Sequence, residues 1–267
     1  MLREEINRAF LSRSFLFAVF LGLLSLAYGY ADYMSGPSDP EYLARLPPFY
    51  NNAYDAVIWA QKGLIGLIVP LIAVLPFADS FAHDRVLGYL RFVLSRTTYR
   101  YYLSAKYAIS FLSGGLAVSL PMLLYFAFTN LVLPRGLNPD PFEQRVLSMP
   151  EALGPFGALY KSAPDLYIFS LIALSFLFGA TYAIFGLSLS ALTDNRYIVL
   201  ATPFVLYNVV HYGLAILGIP AWSPVSAFVP HWLNHIAWLN VLTNLGGVFL
   251  ISTVLYFVMA HKVKSRI

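Results

Sequence analysis

Long apolar stretches free of Lys, Arg, Asp and Glu alternate along this chain with short charged segments. A helix that crosses a bilayer needs roughly 20 mostly apolar residues. Arg13 and Asp32 bracket a first such span, 15–30. The second covers 57–78, with Lys62 near its outer end. Lys106 and Arg135 bracket the third, 107–133, and Asp165 and Asp194 bracket the fourth, 166–191. No Lys, Arg, Asp or Glu then appears between Tyr197 and His261, a stretch too long for one crossing. Pro220, Ser223, Pro224 and Pro230 interrupt it, and proline cannot supply the N–H that continues a helix. The stretch therefore divides into a fifth span, 197–219, a broken segment, and a sixth span, 239–260. These helices are apolar on every side, as membrane spans are, and not amphipathic surface helices. The reading is an all-α membrane protein of six spans, with 1–267 as one transmembrane domain. The first apolar run lacks a clear small-residue cleavage site, so it reads as a retained helix and not a secretory signal.

Two segments outside the spans have a helical period. In the N-tail, Leu2, Ile6, Ala9 and Phe10 oppose Arg3, Glu4, Asn7 and Arg8, which predicts an amphipathic helix in the membrane interface. The loop 79–106 reads DSFAHDRVLGYLRFVLSRTTYRYYLSAK. Within it Val86, Leu87, Leu90, Val93 and Leu94 form one apolar stripe of 3.6-residue period, with Asp84, Arg85, Gly88, Arg91 and Ser95 off it. This predicts a single helix over 83–95. The loop 32–56, rich in proline, is expected to be irregular, and the segment 134–165 to hold a short helix over 141–153.

Composition fits the span pattern. Hydrophobic residues make up 59% of the chain and charged residues 11%, against about 25% charged in a soluble domain. Tyr28, Tyr30, Tyr33, Trp59, Trp222 and Trp238 suit interfacial belts. The chain lacks cysteine, which excludes disulfides and thiolate chemistry. Basic residues cluster at span ends and not on a soluble face, so a nucleic-acid partner is not expected. The bias is directional. The N-tail, the 79–106 loop, the 192–196 turn and the C-tail together hold twelve Lys and Arg, against five on the other side. An excess of Lys and Arg marks the cytoplasmic side, so both termini are expected there, in the plasma (inner) membrane of a bacterium or archaeon.

Catalytic constellations are weak. No G-x-x-x-x-G-K-[ST] phosphate loop occurs, so ATP hydrolysis by that route is not expected of this chain. No Asp or Glu lies inside any span, which leaves an intramembrane aspartyl protease without its carboxylates. His231 and His235 are spaced i, i+4 in HWLNH, but Trp232 stands where a zinc protease needs Glu. Ser188 in GLSLS lacks the glycine expected two residues on. Gly179, Ala183, Gly186 and Ser190 instead read as a small-residue seam for close helix packing. Asn208 and His211 share a face of the fifth span, and Asn240, Thr243 and Asn244 one of the sixth. Both groups suit hydrogen bonding between helices or the lining of a path.

With six spans, an amphipathic N-terminal helix (REEINRAFLSRSF) and a patterned loop between spans two and three, the chain resembles the ABC-2 type permease subunits of ATP-binding-cassette exporters. The loop residues that match are Asp84, Gly88, Leu90, Leu94, Ser95, Arg96, Tyr99 and Lys106; Asp84 stands where Glu is usual and Thr97 in a region where Pro is common. The broken stretch 220–238 resembles the family's external re-entrant hairpin. The resemblance implies two permease subunits, a second copy or a close homologue beside this one, above two ATPase subunits that carry ATP and Mg. It implies a coupling helix in the loop, with Asp84, Arg85, Leu87, Gly88, Tyr89, Leu90, Arg91, Leu94 and Arg96 as the candidate ATPase-coupling residues. It also implies that spans two and five face the pathway, where Trp59, Gln61, Asn208, His211 and Tyr212 are the candidates. The cargo expected is an amphipathic peptide, drug or lipid-like molecule. An ATP-independent carrier or channel, or an exporter of lipid-linked glycan, is the alternative.

Overall fold

The computed structural model describes residues 2–35, 51–95, 97–137 and 150–264, and of Arg91, Leu94, Pro150, Glu151, Ala152 and Lys264 only the backbone. Among the described residues the chain is all-helical. α1 (Leu2–Phe10) leads into α2 (Arg13–Met34) through Ser12, whose hydroxyl caps α2 by accepting from the Phe15 N–H. α3 (Ala53–Lys62) and α4 (Leu64–Val74) follow, then the short helices α5 (Ser80–Val86) and α6 (Tyr89–Leu94), and the long α7 (Tyr99–Val132). After a 3-10 segment, Pro150–Phe156, come α8 (Gly157–Ser162), α9 (Pro164–Ser190) and α10 (Arg196–Ile216). Two short 3-10 turns, Pro220–Trp222 and Pro224–Ala227, precede α11 (Trp238–Lys264). Most of the expected helix 141–153 and of the loop 32–56 lies outside the described residues.

Among the described residues five helices are long and apolar enough to cross a membrane: the α1–α2 run, α7, α9, α10 and α11. The bent pair α3–α4 raises the number to six if it is one span. These helices fit a multi-pass membrane protein. The second span differs from its expectation. It is two helices meeting at 71° about Gly63, not one rod. The last turn of α3 tightens, with the Gly63 N–H bonding Ala60 O at 3.2 Å, and Pro70 weakens the ladder again inside α4.

α7 and α9 form the most extensive helix pair. The expected small-residue seam lies here: Gly179 faces the Gly114 carbonyl of α7, and Gly186 faces Val74 and Ala78. Tyr99 at the start of α7 donates to Ala260 O of α11 at 2.5 Å, and Lys106 two turns further on pairs with Glu5 of α1 at 2.8 Å. The described start and end of the chain therefore share one end of the bundle, together with α5, α6 and the 191–195 turn. The 217–237 hairpin and α8 sit at the other end.

Candidate functional site

At the end of the bundle that holds both described termini, the loop after α4 is not the single helix the pattern predicts. It breaks at Gly88, whose φ of +67° is a left-handed conformation that side-chain-bearing residues avoid. No other group lies within 4 Å of the position a Gly88 Cβ would take, so this glycine serves the turn and not a close approach within the chain. The break divides the apolar stripe. Leu90 and Val93 turn inward to a cluster with Phe81, Tyr99, Tyr102 and Tyr256. Val86 and Leu87 stay exposed at 62% and 64%, and beside them Phe92, which the stripe did not include, is 72% exposed with Tyr89 half-exposed.

Asp79, Asp84, Arg85 and Lys106 of the loop are committed within the chain. Asp84 is buried. It accepts from Arg8 at 2.9 Å and from the Tyr102 hydroxyl at 2.9 Å, and pairs with Lys106 Nζ at 2.8 Å. Lys106 also reaches Glu5 at 2.8 Å and lies 4.7 Å from the Phe77 ring centroid. Burial disfavours the charged carboxylate of Asp84, yet Lys106 and Arg8 overcome this and hold it below the usual carboxylate range. Arg85 caps α9, donating to Ser190 O and Ala191 O, and pairs with Asp194 at 2.5 Å. Arg196 pairs with Asp79 at 2.6 Å. Of the candidate coupling residues, the structure leaves Leu87, Gly88 and Tyr89 on the outer surface. It turns Asp84 and Leu90 inward and ties Arg85 to the next turn. Arg96 and the side chains of Arg91 and Leu94 lie outside the described residues.

The N-terminal helix also differs from an amphipathic helix resting freely in the interface. Its buried positions are Glu5 and Ala9, while Leu2 and Ile6 are 43% and 40% exposed. No local pattern announces this, because Glu5 and Lys106 are separated by 101 positions.

At the opposite end the bend between α3 and α4 is braced by the hairpin and by α10. Pro70 has no N–H to bond the Gly66 carbonyl four residues earlier. The buried Tyr207 hydroxyl of α10 donates to that carbonyl at 2.7 Å. Gln61 Nε2 donates to Phe228 O at 2.7 Å, and His231 Nε2 bonds Ile58 O at 3.0 Å. A carbonyl only accepts, so Nε2 carries the proton of His231. His211 Nδ1 meets Ser223 Oγ at 2.7 Å.

Between these braces lies a cavity of about 180 Å³ lined by Lys62, Asn208, His211, Tyr212 and Trp232, with Gly63 and Gly66 of the bend. Three of the five pathway candidates therefore meet in one place. The other two do not line it. Gln61 is buried, holding the hairpin, and Trp59 donates to Asp32 on α2 at 2.7 Å. Lys62 and Trp232 join the three that do, with Leu67, Tyr207, Val225 and Val229 in the rest of the wall. The sequence does not single out Lys62 for this site, because a bend that turns it toward α10 has no signature in composition. His235, with φ +66°, belongs to a non-helical segment, so the His231–His235 pair does not share a helix face. Asn240 accepts from the Ala237 N–H, and Thr243 and Asn244 bond carbonyls within α11. Comparison with known proteins adds no relative: the chain matches no family model, no curated protein and no solved structure.

Proposed function

We propose that this chain is the permease subunit of an ATP-binding-cassette exporter of ABC-2 type, carrying an amphipathic molecule across the plasma membrane of a bacterium or archaeon. Two copies form the pathway, and two separate ATPase subunits bind ATP and Mg beneath them. The observation that supports this most is the exposed apolar knuckle Val86–Leu87–Tyr89–Phe92 around Gly88. It stands on a base tied by ion pairs to α1, α7 and the turn before α10. An apolar surface on a rigid mount suits a part that takes up a partner's movement and passes it to the spans. Conformational coupling needs contacts that differ between the partner's states, and a floppy loop would dissipate them.

The test is co-purification with the ATPase encoded beside this chain and stimulation of its activity in lipid. Leu87→Asp and Phe92→Asp should each weaken docking by roughly 2 kcal/mol or more, about 30-fold, because a few buried anchors carry such interfaces. Leu90→Asp is the wrong probe, since Leu90 is part of the core and its loss would damage the fold. Monodisperse Leu87→Asp and Phe92→Asp proteins that bind and stimulate like the unaltered chain would remove the coupling assignment.

The orientation has its own check. With no native cysteine, single cysteines at Ser38 or Asn138 should react with an impermeant thiol reagent added outside intact cells. Those at Ser104 or Ser265 should react only after the membrane is opened, and the reverse pattern would invert the topology. A second reading, an ATP-independent carrier, draws on the bent pair at Gly63, because carriers place broken helices at their sites. Transport that persists in vesicles lacking any ATPase would favour it.

A further inference from the structure

The ammonium of Lys62 has no carboxylate partner among the described residues, whereas Lys106, Arg85 and Arg196 at the opposite end each have one. It sits against the bend, and a Cβ on Gly63 would lie 3.9 Å from Gly29 Cα of α2. Gly29 is five residues before the end of α2, so Lys62 lies about 7 Å inside the end of that helix at 1.5 Å per residue. In the proposed orientation this end of α2 meets the outer head-group layer, about 5–7 Å deep, which puts the bend close to where the hydrocarbon begins. A charge held there pairs with something, and its partner marks function.

The rest of the cavity describes that partner. Asn208, His211 and Tyr212 offer polar atoms beside Lys62, and the Trp232 ring stands in T-shaped contact with His211 at 5.2 Å. The volume of about 180 Å³ holds a small head group and little more. Any longer tail must leave it, and the exposed apolar face of α10 provides its track: Val205, Val209, Tyr212 and Ile216 run along the lipid side of the same helix. Lysine binds phosphate or carboxylate as a compact point charge.

We propose that the cavity at the α3–α4 bend binds the acidic head group, carboxylate or phosphate, of a membrane-inserted amphiphile, with Lys62 as its counter-charge and α10 guiding the tail. This narrows the cargo of the proposed pathway to anionic amphiphiles and rests on that reading for its meaning. The binding itself belongs to this chain alone.

Trp232 makes the test direct. The purified chain, without any ATPase, is reconstituted in phosphatidylcholine nanodiscs and titrated with 9,10-dibromostearate, whose bromines quench tryptophan, or with its uncharged methyl ester. The Trp232 signal is the difference between the unaltered chain and Trp232→Phe. The acid should quench it saturably, while the ester should quench it only in proportion to its mole fraction. Lys62→Gln should raise the half-saturation point for the acid about tenfold or more, as expected for losing one charged partner. Lys62→Arg should restore most of it, and all variants should elute as one monodisperse species. Equal quenching by acid and ester, no Trp232 signal, or an unchanged Lys62→Gln titration overturns the proposal. Protection of Trp232 by millimolar inorganic phosphate as effective as that by hexadecyl phosphate would make this a site for free anions and overturn the amphiphile. A chain that passes this test yet fails to bind an ATPase loses the exporter reading and keeps the site. The converse result loses only the ligand class.

Discussion

Lys106→Met is expected to lower the stability of the folded chain by about 3–5 kcal/mol, the cost of leaving a buried charge without its partner. Lys106 is fully buried between two carboxylates that are themselves 2% and 1% exposed. The cluster Glu5, Arg8, Asp84 and Lys106 carries two charges of each sign, so removing the ammonium leaves two buried carboxylates to share Arg8. Asp84→Asn should cost less. It leaves Glu5 with Lys106, and Arg8, 37% exposed, can turn its guanidinium to water. The decisive variant is the double replacement, Lys106→Met with Asp84→Asn. It restores neutrality, with Glu5 and Arg8 still 3.1 Å apart, and should recover a good part of the loss. Thermal unfolding of the detergent-solubilised protein reads all three. A double variant no more stable than Lys106→Met would show that geometry, not charge balance, governs the cluster. The sign with pH follows from Asp84. Its carboxyl is held below the ordinary carboxylate range, so its stabilisation is present above that range and disappears only as pH falls through the lowered value. Near neutral pH this group should contribute no slope.

What the sequence made legible is the part of the structure that depends on solvent. Apolar stretches between charges located the five helices that, among the described residues, are long and apolar enough to cross a membrane, and the bent pair α3–α4, because the length and composition of a crossing are set by the bilayer and not by neighbouring helices. The seam at Gly179 and Gly186 was legible for a related reason: small residues repeating at helical spacing have little other use in an apolar helix. What stayed hidden depends on tertiary partners. Lys106 and Glu5 are far apart in the chain, and nothing local announces that they meet. The break at Gly88 was hidden because a 3.6-residue period running through it looks the same for one helix or for two. The bend at Gly63 was hidden likewise, and with it the meaning of Lys62. Asn208, His211 and Tyr212 were found because polar residues on an apolar helix are conspicuous. Trp232 and Ser223 were not, because a hairpin without periodicity gives no face to read.

The two ends of the molecule differ in a way that fits their proposed roles. At the end bearing α5 and α6 the buried charges satisfy one another, and the apolar side chains of Val86, Leu87 and Phe92 face outward. At the bend the braces are single hydrogen bonds to backbone carbonyls, and one ammonium is left over. Charge networks broken only at a cost of several kcal/mol make a stiff mount. Single neutral bonds, each worth about 1 kcal/mol net, let a hinge open. α7 and α9 connect the two ends, so how closely they pack determines whether motion at one reaches the other.

That packing can be tested at a single atom. Gly114→Ala is expected to destabilise the chain by roughly 3 kcal/mol, the upper part of the range for overpacked cores, although the same change in an open helix is favourable. A Cβ on Gly114 would overlap the Ala183 Cβ of α9 and lie 2.9 Å from the carbonyl oxygens of Ala73 and Gly179. Two of those three neighbours are backbone, so no rotamer change relieves them, and carbon atoms settle at about 3.5–4.0 Å. α7 must therefore move away from α9 and α4 together. Gly213 on α10 and Gly246 on α11 are the controls. Both are helical with open space where a Cβ would be added, and there alanine gains up to about 1 kcal/mol over glycine in helix propensity. Thermal unfolding should thus move in opposite directions for Gly114→Ala and Gly246→Ala. The pathway should follow the packing: dibromostearate binding near Trp232 should weaken in Gly114→Ala and stay unchanged in Gly246→Ala. A Gly114→Ala protein as stable as the controls would mean that α7 and α9 are not held this closely, and the rigid link between the two ends would be lost with it.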